Sequence, residues 1–209
     1  MARMNKPSTE MRQHILEVAR ALMTAKGYTA VGLAEVLSNA GVPKGSFYYY
    51  FKSKEEFGAA LLEEYFGEYL ARVTPILEGQ AKASDCLAAY FAHWIETQGA
   101  DIPQQKCLVV KLGPEVCDLS EAMRLVLDRG TVRIVSLIAR CIERGIEDKS
   151  IQTACDSSML AQALYQLWLG ASLQAKLQMS TKAFDAAVQA TQTLVRQKIC
   201  LFTRRLVDY

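Results

Sequence analysis

Proline and glycine are scarce, at 5 and 12 of 209 residues. With so few turn formers, long stretches run between possible breaks, and helices are the natural way to fill them. No segment alternates apolar and polar residues with the period of two that a half-buried strand requires. Nor does any apolar run approach the ~18 residues a membrane-spanning helix needs. Histidine is nearly absent. His14 and His93 are isolated and the six cysteines contain no CxxC pair, so neither metal ligation nor a cysteine–histidine catalytic arrangement has its usual spacing. Met1 to Glu10 is polar and lacks the apolar segment and small-residue cleavage site of a signal peptide. The expectation is a cytoplasmic chain with no cofactor, metal or membrane partner, in a compartment where structural disulfides are not expected.

The sequence does contain ample apolar material and a lopsided charge. Hydrophobic residues make up 51% and charged residues 22%, enough for a packed core and incompatible with a disordered chain. The net charge of +2 conceals +5 over residues 1–54, where eight Lys and Arg face only Glu10, Glu17 and Glu35, and −3 over the remainder. A small basic head on a mildly acidic body suits a polyanion-binding module joined to something else.

Helical spacing recurs along the chain. Ser8 or Thr9 can cap a first helix ending at Lys26, with Ile15, Val18, Ala19 and Leu22 at helical spacing and Gly27 at its C-terminus. A short helix is predicted from Leu33 to Ala40, ended by Gly41, and another starts near Pro43. Ser53 and Glu56 fit a capping box for a long helix running to about Thr74, where Pro75 limits it. Further helices are predicted over residues 83–99, 104–112, 120–147, 157–179 and 182–206, with a break at Gly113-Pro114. The predicted fold class is all-α, with about nine helices divided between residues 1–54 and 55–209.

The strongest motif is LAEVLSNAGVPKGSFYYY, residues 33–50. Two short helices joined at Gly41 make a helix-turn-helix, with Val36, Ala40, Val42 and Phe47 where crossing helices must bury side chains. The second helix would present Lys44, Gly45 and Ser46 to a DNA major groove: a cation, a residue allowing close approach, and a small donor. Tyr48, Tyr49 and Tyr50 follow, then Lys52 and Lys54. Successive helical positions point about 100° apart, so three consecutive tyrosines cannot all face one core. At least one must turn outward, and phenol hydroxyls and ammonium groups are natural phosphate partners.

Residues 10–57, above all GVPKGSFYYYFKSKEEF from Gly41 to Phe57, resemble the N-terminal domain of the TetR family of transcriptional repressors. That resemblance implies a three-helix DNA-binding domain followed by a larger helical domain that senses an inducer and dimerises. It places Lys44, Gly45 and Ser46 at the base-reading end of the recognition helix, Tyr48 along it, and Tyr49, Tyr50 and Lys54 at DNA-backbone positions. The chain departs from many relatives in having Val31, Gly32 and Ala34 where a Thr-Thr pair and an Arg open the second helix. A homodimer through the last two helices, holding two recognition helices about 34–36 Å apart on operator DNA, is the implied assembly.

The cysteines point to what the larger domain senses. Cys141 and Cys200 lie in apolar helical stripes and read as small buried hydrophobes. Cys107 follows Lys106 and precedes Lys111 by one helical turn, near a predicted helix N-terminus, and both features favour the thiolate. Cys117, between Glu115 and Asp118, is at most a resolving partner. Segments KCLVVKLGPEVCDLSEAMR (106–124) and LWLGASLQAKL (167–177) resemble a branch of the TetR family that responds to electrophiles and oxidants and controls detoxification, which implies Cys107 as the sensor. Lys176, a cation in an apolar helix, reads either as a surface lysine with a buried stem or as a partner that lowers the Cys107 pKa or captures its oxidised form. The alternative is a reversible pocket for a hydrophobic ligand lined by Tyr90, Trp94, Tyr165 and Trp168. An enzyme would need a histidine base beside Cys107, and only His93 is available in the body.

Overall fold

A computed structural model of the chain describes residues 8–99 and 107–196. Among these there are nine α-helices and no strand. They are α1 (Ser8–Lys26), α2 (Leu33–Asn39), α3 (Phe47–Tyr50), α4 (Lys54–Leu77), α5 (Ala83–Gly99), α6 (Leu108–Leu119), α7 (Glu121–Glu147), α8 (Ser157–Gln178) and α9 (Lys182–Leu194). A single 3-10 turn, Lys44–Ser46, leads into α3. No described helix is long and apolar enough to cross a membrane.

Contacts divide the chain into two compact units, one of residues 1–72 and 96–133, the other of residues 73–95 and 134–209. The expected boundary after residue 54 falls at the first residue of α4, which continues to Leu77 without interruption.

In the first unit, α1, α2 and α3 close over Phe47, Phe51 and Phe57, whose ring centroids lie 4.9 to 5.5 Å apart. Val36, Ala40, Val42 and Phe47 are all buried, as helix crossing requires. Gly41 carries the turn at φ +66°, a left-handed conformation in which a β-carbon is strained. The capping box at α4 forms: Glu56 N donates to Ser53 Oγ at 3.0 Å, and the Glu56 carboxylate accepts from the Lys52 amide at 3.0 Å.

The second unit is built on aromatic packing. Phe91 stacks on Trp168 at 4.3 Å, and Trp168 faces Phe184 at 6.0 Å. Both indoles find hydroxyl partners: Trp94 Nε1 donates to Ser172 Oγ at 2.8 Å and Trp168 Nε1 to Thr191 Oγ1 at 3.0 Å. Satisfying those N–H groups removes the penalty of burying them.

Three predicted boundaries are corrected. Helix α4 passes through Pro75 and ends at Leu77, because a proline one turn from the end removes one hydrogen bond without preventing the last turn, where Glu78 N still reaches Thr74 O at 2.8 Å. Helix α6 runs through Gly113-Pro114, with Leu108, Leu112, Gly113 and Val116 buried on either side of the proline. Burial of that apolar face outweighs one lost backbone bond. Helix α9 stops at Leu194, and the Val195 carbonyl accepts from Gln152 N at 2.9 Å. The start of the predicted 104–112 helix and residues beyond 196, Cys200 included, lie outside the described residues.

Candidate functional site

The helix-turn-helix presents a polar, donor-rich edge. Lys44 and Gly45 are exposed and Ser46 is half-buried; together they form the 3-10 turn, while Phe47 behind them is fully buried and anchors it. Tyr48 and Tyr49 stand out at 70% and 74% exposure, and Tyr50 is half-buried against Tyr49 with ring centroids 5.0 Å apart. Two outward tyrosines, rather than the minimum of one, follow because Phe47 alone satisfies the core at this short helix. Lys52 and Lys54 are exposed, and the Lys54 ammonium rests 5.2 Å from the Tyr28 ring centroid.

Cys107 is the N-cap of α6, so the expected helix N-terminus is there. Its thiol, however, is only 8% exposed, and burial pushes its pKa up. Hydrogen bonds from the Val110 amide, the Tyr65 hydroxyl and the Val109 amide act in the opposite direction without overcoming that cost. Lys111 does not supply the expected ammonium, because its Nζ donates to Ala25 O at 3.4 Å. The expectation that the surroundings of Cys107 favour its thiolate is corrected in direction: burial pushes the pKa up, although donors are aimed at the sulfur. Lys106 lies outside the described residues.

The other cysteines separate by environment. Cys86 and Cys141 are buried, and their thiols donate to carbonyls: Cys86 to Gly79 O and Ala81 O at 3.7 Å each, Cys141 to Ala83 O at 3.4 Å. Burial pushes Cys141 up to about 11, as suits a small structural hydrophobe. Cys117 and Cys155 are exposed. Cys117 lies ten residues from Cys107 along the same continuous helix, about 15 Å of rise, whereas a disulfide needs Cα atoms within about 7 Å. A resolving role for Cys117 within one chain would require α6 to unwind.

Lys176 is exposed near the end of α8, in the second unit. Tyr90, Trp94, Tyr165 and Trp168 do come together there, each at most 4% exposed. Trp94 lies 6.0 Å from Tyr90, 5.8 Å from Tyr165 and 6.2 Å from Trp168, so its ring packs against all three. Among the described residues no group of three or more His, Cys, Asp or Glu is placed to hold a metal ion.

Two partners escaped the sequence reading. Glu115, on α6, accepts from Thr29 N at 3.0 Å and from Thr29 Oγ1 at 2.9 Å, in the turn between α1 and α2. These bonds, with Thr29 N the largest influence, hold its carboxyl below the usual carboxylate range. Gly27 sits at φ +99°, and a β-carbon there would stand 2.7 Å from the Glu115 carboxylate. With Lys111 on Ala25 O, α6 grips the end of α1 through two side chains one turn apart. Cys107, Lys111 and Glu115 share a spacing of four, a signal hidden by the break expected at Gly113-Pro114. The second missed partner is Tyr65 of α4, which nothing in the local sequence connects to Cys107.

A helix-turn-helix head followed by a helical regulatory body defines a DNA-binding transcriptional regulator. Residues 15–61 match the family of bacterial regulatory proteins, tetR family, and residues 83–191 match the tetracyclin repressor-like C-terminal domain. The chain is 38% identical to the HTH-type transcriptional repressor NemR of Escherichia coli, over 89% of this chain and 94% of that one. It is 32% identical to the repressor DhaR of a Mycobacterium species, over 89% and 96%. The crystal structure of reduced E. coli NemR superposes with a TM-score of 0.85 at 37% identity, covering 91% of this chain and all of that one. The chain belongs to the TetR family of transcriptional repressors, in the branch that contains NemR. It is a regulator, not an enzyme.

Proposed function

We propose that the chain binds operator DNA as a homodimer and releases it when Cys107 reacts with electrophiles or oxidants, derepressing detoxification genes. Lys44, Gly45 and Ser46 read bases, while Tyr48, Tyr49, Tyr50, Lys52 and Lys54 set the register on phosphates. The homodimer forms through α8 and α9. In support, the outward face of α8 carries Met159, Ala163, Gly170, Leu173 and Leu177 without a charge, and α9 adds exposed Ala186, Gln189 and Thr193. An uncharged exposed stripe on each of two adjacent helices suits a buried helical interface.

The observation that carries the sensing role is the position of Cys107 at one end of the helix whose Lys111 and Glu115 hold the α1–α2 turn. A buried sulfur has no room for an added group, so an adduct displaces the start of α6. The helix is continuous through Pro114, and its displacement reaches the Thr29 bonds. A coupling of ~1–3 kcal/mol is enough to change operator affinity severalfold or more. The raised pKa makes the resting thiol slow to react at neutral pH, which sets a threshold favouring strong electrophiles. Lys176, exposed on α8, is assigned to the oxidant response, as a nitrogen that can condense with a sulfenic acid.

Operator binding before and after exposure to a quinone or to hypochlorite, with mass spectrometry of the intact protein, tests the reading. Cys107→Ser is expected to stay bound under both reagents, and Lys176→Ala to lose part of the hypochlorite response only. Release of Cys107→Ser at the wild-type dose would overturn the sensor role and turn attention to the Tyr90–Trp94–Tyr165–Trp168 cluster.

A further inference from the structure

The donors at Cys107 have a source that reaches into the DNA-binding head. Tyr65 is 2% exposed, and its hydroxyl hydrogen-bonds the Cys107 sulfur. On the other side its ring carries the Arg20 guanidinium, with Cζ 5.5 Å from the centroid. Arg20 belongs to α1, is 8% exposed, and pairs with Glu68 one turn beyond Tyr65 on α4. A cation against a phenol ring draws electron density from the hydroxyl and strengthens it as a donor. Cys86 and Cys141, also buried, face carbonyl oxygens that stabilise only the protonated thiol.

We propose that Tyr65 is the positioning residue of the sensor thiol: its hydroxyl, polarised by Arg20, holds the Cys107 sulfur in place and stabilises the sulfur anion as it forms. This deepens the sensor reading and rests on it. In a buried site a thiol must lose its proton before it can attack, and a donor already in place spares the sulfur from needing water to do so. The two helix amides supply further donors, but they are fixed by the backbone of α6 itself. Among the described residues Tyr65 is the side chain that donates to that sulfur, and hence the donor a substitution can remove.

The test is the pH profile of Cys107 alkylation by iodoacetamide in the full chain, read by peptide mass spectrometry. The S–C bond forms as the C–I bond breaks, iodide leaves, and the thiol proton passes to buffer. Tyr65→Phe keeps the ring and removes the hydroxyl. Its Cys107 rate is expected to fall about tenfold at neutral pH, with the profile moved to higher pH. Exposed Cys117 and Cys155 should react at wild-type rates, which shows that reagent and fold are unchanged. Installing 3-fluorotyrosine at position 65, a stronger donor of nearly the same shape, should move the profile the opposite way. Superimposable profiles for the wild type, Tyr65→Phe and the fluorinated protein would overturn the inference. Because the readout is the thiol itself, that result leaves the Cys107→Ser release experiment to decide the sensor role separately.

Discussion

Between α6 and the end of α1 with the turn that follows it, the side-chain hydrogen bonds put a carboxylate on a backbone amide and a hydroxyl, and an ammonium on a carbonyl. Where α5 meets α8 and α9, indole and phenyl rings stack, with the indole N–H groups tied to buried hydroxyls. The two seams differ in what it costs to open them. Exposed polar contacts exchange with water at a net cost of roughly 1 kcal/mol each, whereas opening a stacked aromatic core gives up the burial of every ring in it. Under the proposed reading, in which reaction of Cys107 displaces α6, the event falls on the polar seam. The aromatic seam then serves as the fixed frame.

That contrast can be broken at either end. The largest effect should come from Trp168→Ala, which empties a fully buried site against Phe91 and removes the bond that Thr191 Oγ1 accepts, leaving that hydroxyl only its donation to Ala187 O. A loss of ~3–5 kcal/mol in denaturant unfolding is expected. A loss below about 1 kcal/mol would mean that the second unit is not held by its rings.

Glu115→Ala is the counterpart on the polar seam. Thr29 becomes free to bond water, so stability should change by less than about 1 kcal/mol. Operator release on reaction of Cys107 should nevertheless be blunted, with the coupling falling toward zero. Full release by Glu115→Ala would show that the message leaves α6 by another route.

The smallest effect concerns Cys141. Its folded pKa is raised from the ordinary 9.0 to about 11, so its burial contributes stability that is complete below pH 9 and lost as pH rises through about 11. Thermal melts should therefore show a shallower decline across that window for Cys141→Ala than for the wild type. Parallel curves would indicate that another group titrates there.

The local geometry of the helix-turn-helix was largely legible. Gly41, Phe47 and the tyrosine run are constrained by local geometry: a left-handed turn, one buried aromatic, and 100° between neighbours. The proposed sensor, Cys107, was half legible. Its place at a helix N-terminus could be read, but the direction of its pKa shift could not, since Lys111 is drawn to Ala25 and burial of the sulfur depends on helices distant in sequence. The continuity of α6 was misread for a related reason. A Gly-Pro pair signals a break by itself, and only the buried Leu112 and Val116 around it reverse that signal.

Sequence alone determined the helical class, the basic head and the motif that defines the family, because each rests on spacing within a turn or two of chain. Tertiary structure decided which groups meet Cys107, that burial pushes its thiol pKa up, and that Glu115 answers to Thr29. These depend on desolvation and on partners brought together across 42 and 86 residues of sequence, and no local pattern encodes such distances.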